Sequence, residues 1–274
     1  MSVDSRTSAS DQFAARELVR TWASGSGSSA ATRDVEQGEP DAWRPVYGAL
    51  AELGLFGVAV SEDAGGAGGS VTDLCAMLEE AAAALVPGPV ATTALATLVV
   101  DDPGLLDALM SGKRTAGVAL TSDLRLDGDR VSGTAGGVLG AVGDGLLVLP
   151  AGEQWVVIDG GADGVSVEPL EATDFSRPLA RVECTAAPAA VLAAPATRIV
   201  DLAATVFAAE AAGVARWALQ TASEYAKVRE QFGKPIGSFQ AIKHMCAEML
   251  LRSEQAAVAA ADAATAAEDR TADD

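Results

Sequence analysis

Apolar residues in the first 112 positions recur at intervals of three and four, the period of helices with one buried face. Phe13, Leu18 and Trp22 mark a first helix, which the Ser/Gly run at 24–29 should end. A second helix is expected to open at Asp41 as its N-cap. It would carry Trp43, Val46, Tyr47, Leu50 and Leu53 on one stripe and stop at Gly54. A short apolar segment at 56–60 leads into the Gly-rich loop 61–69. Ser70 then suits the cap of a helix through Leu74, Met77, Leu78, Ala81 and Leu85. Pro87-Gly88-Pro89 should terminate it, with one or two further helices reaching Leu109.

After Lys113 the period shortens. Runs at 118–120, 124–131, 146–149, 155–158, 165–167 and 180–184 read as strands, separated by turns at Asp127-Gly128, Asp159-Gly160-Gly161 and Asp163-Gly164. From Ile199 the helical period returns through Leu202, Val206, Val214, Trp217, Tyr225 and Val228. Gly233 and Pro235 break it, and Ser238 should cap another helix with Ile242, Met245, Met249 and Leu250 on its core face. Helices, then strands, then helices predict an α+β fold of three modules: 1–112 helical, 113–196 β, and 197–274 helical.

Charge narrows the function classes. Thirty-eight acidic against 19 basic residues give a net charge of −19, which would repel nucleic acid and anionic lipid. The three cysteines, at 75, 184 and 246, form no CxxC pair, which argues against zinc and structural disulfides and for a reducing cytoplasm. Neither a signal-peptide core nor a membrane-length apolar run is visible, so a soluble protein is expected.

Against this acidic background one segment is basic. Between Arg216 and Arg252 there are six basic and three acidic residues, including three of the four lysines in the chain. Arg229 should close one helix and Gln240 open the next, across a tight Gly233-Lys234-Pro235 turn. A helix N-terminus and an Arg fork both suit phosphate oxygens, so a phosphate-bearing ligand is one reading. An ordinary helical hairpin with a solvated basic corner is the other.

The segment YAKVREQFGKPIGSFQAIKHMCAEM (225–249) resembles the C-terminal signature of acyl-CoA dehydrogenases. LAELGLFGVAVSEDAGGAGGS (50–70), followed by Glu79-Glu80 on a helix, is similar to the N-terminal helical domain of that family. The resemblance implies an N-terminal helical domain, a middle β domain and a C-terminal helical bundle, incomplete in this chain. It also implies FAD as cofactor, an acyl-CoA substrate, and FAD shared between subunits. Carried over, Arg229 would pair with the FAD pyrophosphate, Phe232 and Phe239 would pack nearby, and Gln240 would hydrogen-bond.

Three departures qualify that picture. The family's Thr-Glu-Pro…Gly-Ser-Asp and Trp-Ile-Thr/Ser segments, which cradle the flavin ring, correspond here to residues 119–123 and to Gly136-Gly137-Val138-Leu139-Gly140. Asp201 fits a substrate-holding Asp of the long helix, whereas Ala204 stands where an Arg is usual. The resemblance places the catalytic glutamate beyond Asp274, so no catalytic residue is assigned. Glu79 and Glu80 read as surface carboxylates, Glu210 as a satisfied inter-helix glutamate, and His244 as structural. The expectation is a non-catalytic subunit or half supporting another acyl-CoA dehydrogenase-type subunit or half, as in bacterial sterol side-chain degradation. A flavin-free oligomerisation scaffold is the alternative.

Overall fold

The computed structural model describes residues 5–269, with side chains from 13 to 268. Six helices come first: α1 (Ser5–Ala23), α2 (Ser28–Glu36), α3 (Arg44–Glu52), α4 (Val71–Ala83), α5 (Val90–Thr97) and α6 (Pro103–Met110). Helix α4 begins in a reciprocal cap. Ser70 Oγ accepts from Asp73 N at 3.0 Å, and Asp73 Oδ2 accepts from Ser70 N at 2.9 Å. Two expectations fail in this region. Helix α2 starts inside the Ser/Gly run at 24–29, expected only to end α1, and Asp41 does not cap α3. Instead the Asp41 carboxylate accepts from Arg44 Nε at 2.7 Å, while Trp43 stands at the N-cap. The short apolar segment at 56–60 takes up the end of a 3-10 turn, Leu55–Gly57, and its continuation.

Eight strands follow: β1 (Ala116–Val118), β2 (Arg125–Asp127), β3 (Arg130–Leu139), β4 (Leu146–Ala151), β5 (Gln154–Asp159), β6 (Val165–Pro169), β7 (Leu179–Pro188) and β8 (Ala190–Val191). They form one mixed sheet in the order β6-β7-β3-β1-β4-β5-β8, with β2 paired to β3. Only β1 and β4 run parallel. Strand β4 reads as an unbroken apolar run because both its faces are buried. Leu146 and Val148 join the core shared with the helices, whereas Leu147 and Leu149 face a second core enclosed by the sheet. On β5, Trp155 and Val157 face the helices and Val156 and Ile158 the other side.

Thr93, fully buried on α5, ties the helices to the sheet. Its Oγ1 accepts from Tyr47 Oη and also from Ala116 N of β1, each at 3.0 Å. Burial pushes the Tyr47 phenol well above its usual range, so it stays a neutral donor here.

Helix α7 (Ala196–Val228) crosses this assembly and leads through the short pair β9 (Glu230–Gln231) and β10 (Lys234–Pro235) into α8 (Gln240–Asp269). Gly213 lets α7 lie directly on α4, because a Cβ there would collide with the Glu79 carbonyl oxygen. Ser238 falls in a 3-10 turn, so α8 starts two residues later than its expected cap. The expected core face of α8 is also largely in solvent: Met245 is 60% and Leu250 49% exposed. Among the described residues no further helical layer covers that side of the hairpin.

A candidate cofactor-binding hairpin

The α7–α8 junction is fixed by its backbone. Arg229 N donates to Tyr225 O at 2.9 Å and closes α7; Ile236 N returns to Arg229 O at 2.8 Å. Between them the chain reverses through two left-handed residues, Phe232 (φ 53°) and Gly233 (φ 74°). A phenylalanine in that region costs roughly 1–2 kcal/mol, and this one is 91% exposed. Its ring meets Phe239 edge-on, with centroids 6.1 Å apart. Lys234 Nζ lies 4.5 Å from the Phe239 ring centroid on the same ring, a cation–π contact.

The cations of this region divide into two sets. Arg216 binds Glu80 at 2.8 Å, Lys227 binds Glu224 at 2.5 Å, and Arg252 binds Glu248 at 2.5 Å. Arg229, Lys234 and Lys243 have no carboxylate partner among the described residues, and all three stand on the hairpin or the first turn of α8. Gln240, exposed, is the first residue of α8, where backbone N–H groups lack intrahelical acceptors. Glu230 is the exposed carboxylate of the turn. The hairpin thus offers unneutralised positive charge, an amide and aromatic surface, a donor set suited to a diphosphate joined to a flat ring.

The opposite holds for the sheet segments expected to cradle a flavin ring. Gly136 and Gly137 form an irregularity in β3 between its Ala135 and Val138 pairings with β7. Both are exposed, and a Cβ on either would meet nothing within 4 Å. Ser122 does not point a free hydroxyl outward; its Oγ donates to Pro150 O at 2.5 Å and accepts from Leu124 N. Gly136, Gly137 and Ser122 offer a flavin ring no free side-chain donor. The FAD diphosphate does fit the hairpin.

Three further carboxylates are held in ion pairs, two of them contrary to expectation. Glu79 and Glu80 are not on the surface. Glu80 is 4% exposed and takes Arg20 at 2.9 Å and Arg216 at 2.8 Å, while Arg16 reaches Glu79 at 2.7 Å. Burial pushes the Glu80 carboxyl up, but Arg20 and Arg216 outweigh it and hold it below the usual carboxylate range. Glu210 pairs at 2.7 Å with Arg177, which lies on the β6–β7 connection rather than on a helix. Burial pushes its carboxyl up, with Arg177 opposing. His244 is exposed, not part of a packed core. Asp201 lies half-buried on α7 and accepts from Thr205 Oγ1 through its backbone carbonyl at 2.9 Å. It lies near the opposite end of α7 from Arg229, so the structure does not bring the two together. Trp155, which opens the run expected to be a strand at 155–158, is 4% exposed on β5.

Two family models match the chain: the acyl-CoA dehydrogenase N-terminal domain over residues 9–104 and the acyl-CoA dehydrogenase C-terminal domain over 194–274. The solved steroid ACAD Tcur3481-Tcur3483 superposes with a TM-score of 0.87 at 32% identity, over 96% of this chain and 79% of that one. This chain belongs to the acyl-CoA dehydrogenase family. It is also 63% identical over 269 residues to acyl-CoA dehydrogenase FadE34 of Mycobacterium tuberculosis, which covers 94% of this chain and 38% of FadE34. Acyl-CoA dehydrogenase IpdE2 of the same organism is 32% identical over 77% of this chain and 62% of its own length. The chain therefore spans under two thirds of both relatives. The α+β architecture expected from the sequence is the family fold. Among the described residues no helix is long and apolar enough to cross a membrane.

Proposed function

We propose that this chain is a subunit or half of an FAD-dependent acyl-CoA dehydrogenase and that its α7–α8 hairpin holds FAD bound mainly by another such subunit or half. The observation that carries this reading is that three cations without a carboxylate partner among the described residues, Arg229, Lys234 and Lys243, gather at one helix junction of a strongly acidic chain. In this assignment Arg229 takes the pyrophosphate, Gln240 hydrogen-bonds, and Phe232 and Phe239 pack against the cofactor. Bound FAD supplies the hydride acceptor for α,β-dehydrogenation of an acyl-CoA. Asp201 belongs to the substrate side, away from the hairpin. A proton-abstracting base comes from outside the described residues, since Glu79, Glu80 and Glu210 are all ion-paired. The steroid named for the Tcur3481-Tcur3483 enzyme supports a sterol-derived CoA thioester as the substrate class. Three cysteines without a disulfide support a cytoplasmic setting. We divide the chain into modules at 112/113 and 196/197, where helices give way to strands and strands to helices.

A second reading, a flavin-free scaffold, is favoured by the bare Gly136-Gly137 segment. The visible spectrum of the complex purified with its partner separates the two. The first reading predicts flavin absorbance in the complex and none in the chain alone; a colourless, fully assembled complex would establish the scaffold.

A further inference from the structure

A cleft of about 640 Å³, with no residue of the hairpin in its lining, opens between the α2–α3 connection, the turn after β3, and the β6–β7 connection. That volume lies within the range of small-molecule sites. Its walls are apolar and rigid: Trp43, Val142, Val167 and Phe175, with prolines at 40, 169 and 178. Trp43 is held at 2% exposure between Gly88 and Arg44, whose guanidinium carbon lies 4.8 Å from the centroid of its ring. Leu170 and Phe175, exposed by 37% and 46%, overhang the opening. Two large apolar side chains held partly in water beside a concave apolar wall mark a surface that a ligand would cover.

The charges at the cleft specify what that ligand is. Arg44 is neutralised by Asp41 at 2.7 Å and Asp144 at 3.0 Å. Arg177 is neutralised by Glu210 at 2.7 Å, with Asp174 at 3.7 Å. The remaining charged group, Glu171, is exposed at the rim. No cation is left to receive an anion, and the net charge of −19 repels one. The half-exposed Phe175 ring and the pyrrolidine rings of Pro40, Pro169 and Pro178 suit a rigid planar partner, which loses little conformational entropy on binding. The buried Trp43 indole is a fixed floor beneath them. We propose that this cleft binds one uncharged small molecule built of aromatic or fused rings, independently of the flavin reading.

Benzophenone, neutral, aromatic and photoreactive, tests this directly on the wild-type chain. Irradiation followed by peptide mapping should place saturable labelling on residues 35–44 or 167–179. Phe175→Asp, a change at a side chain half in solvent, should weaken labelling at least tenfold, and Phe175→Tyr should retain it. The anionic analogue 4-benzoylbenzoic acid should compete at least tenfold less well than benzophenone. Labelling that does not saturate, or that maps to the exposed face of α7 and α8, would overturn the proposal. So would equal competition by the anion. The wild-type map decides even where the Asp variant does not fold.

Discussion

Glu80 is the residue whose role the sequence conceals. A glutamate pair on an amphipathic helix ordinarily faces water, and nothing local announces that Arg16 and Arg20 from α1 and Arg216 from α7 converge on it. Arg216 is 136 positions away, beyond the reach of any periodicity argument. A buried carboxylate with three guanidinium neighbours holds the three helices in one arrangement. Glu80→Gln removes the charge and leaves Arg216 and Arg20 facing each other. The expected cost is about 2–3 kcal/mol in denaturant unfolding, below the ~3–5 kcal/mol of a fully buried pair because Arg20 is half in solvent. Its pH signature follows from the depressed carboxyl. The folded-state proton affinity is lower than the unfolded one, so the stabilisation is fully present above about pH 4.3 and is lost as pH falls through the folded value. The wild type and Glu80→Gln should therefore converge in stability toward acid. A constant difference across pH 3–7 would mean that the charge is not what matters.

At the element scale the sequence is legible wherever local chemistry decides. Ser70 and Asp73 announce the start of α4, and Asp127-Gly128 the hairpin between β2 and β3. Leu146 to Leu149 reveal a doubly buried strand by their unbroken apolarity. Local chemistry misleads where tertiary context overrides it. Asp41 resembles a cap but is drawn to Arg44, and the Ser/Gly run hides α2, which begins at Ser28 after Gly27 (φ 72°). The Met245 and Leu250 face of α8 looks like core yet lies open, while Ala260, Ala264 and Ala267 further along the helix are the buried ones. The capping box lends itself to measurement. Ser70→Ala removes the acceptor for Asp73 N and should destabilise the chain by about 1 kcal/mol. Ser70→Gly should cost only a few tenths. An Ala variant melting with the wild type would show that the Asp73 half of the cap suffices.

For the whole molecule, what stands out is the outer face of the α7–α8 hairpin. Tyr225, Val228, Leu251 and Val258 are 56–74% exposed on two helices that pack on each other. An apolar face of this kind is a surface for another helical layer. Sedimentation of the purified chain should show self-association or dependence on a partner; a monodisperse monomer at high concentration would contradict that. The candidate site was legible to the extent that it is local. Arg229, Phe232, Phe239 and Gln240 lie within twelve residues, and the structure gathers them at one junction. The distinction between paired and unpaired cations depended on contacts that spacing alone does not give.

Arg229 is the residue on which FAD binding by the hairpin depends most, and titration of FAD into the apo-complex with its partner tests this most directly. A hydrogen bond to a charged group contributes roughly 1.5–3 kcal/mol, so Arg229→Ala should raise the flavin Kd on the order of tenfold to a hundredfold. Lys227→Ala, already paired with Glu224, should leave it near the wild-type value. Equal flavin affinity for wild type and Arg229→Ala would contradict the account and leave the hairpin a structural corner.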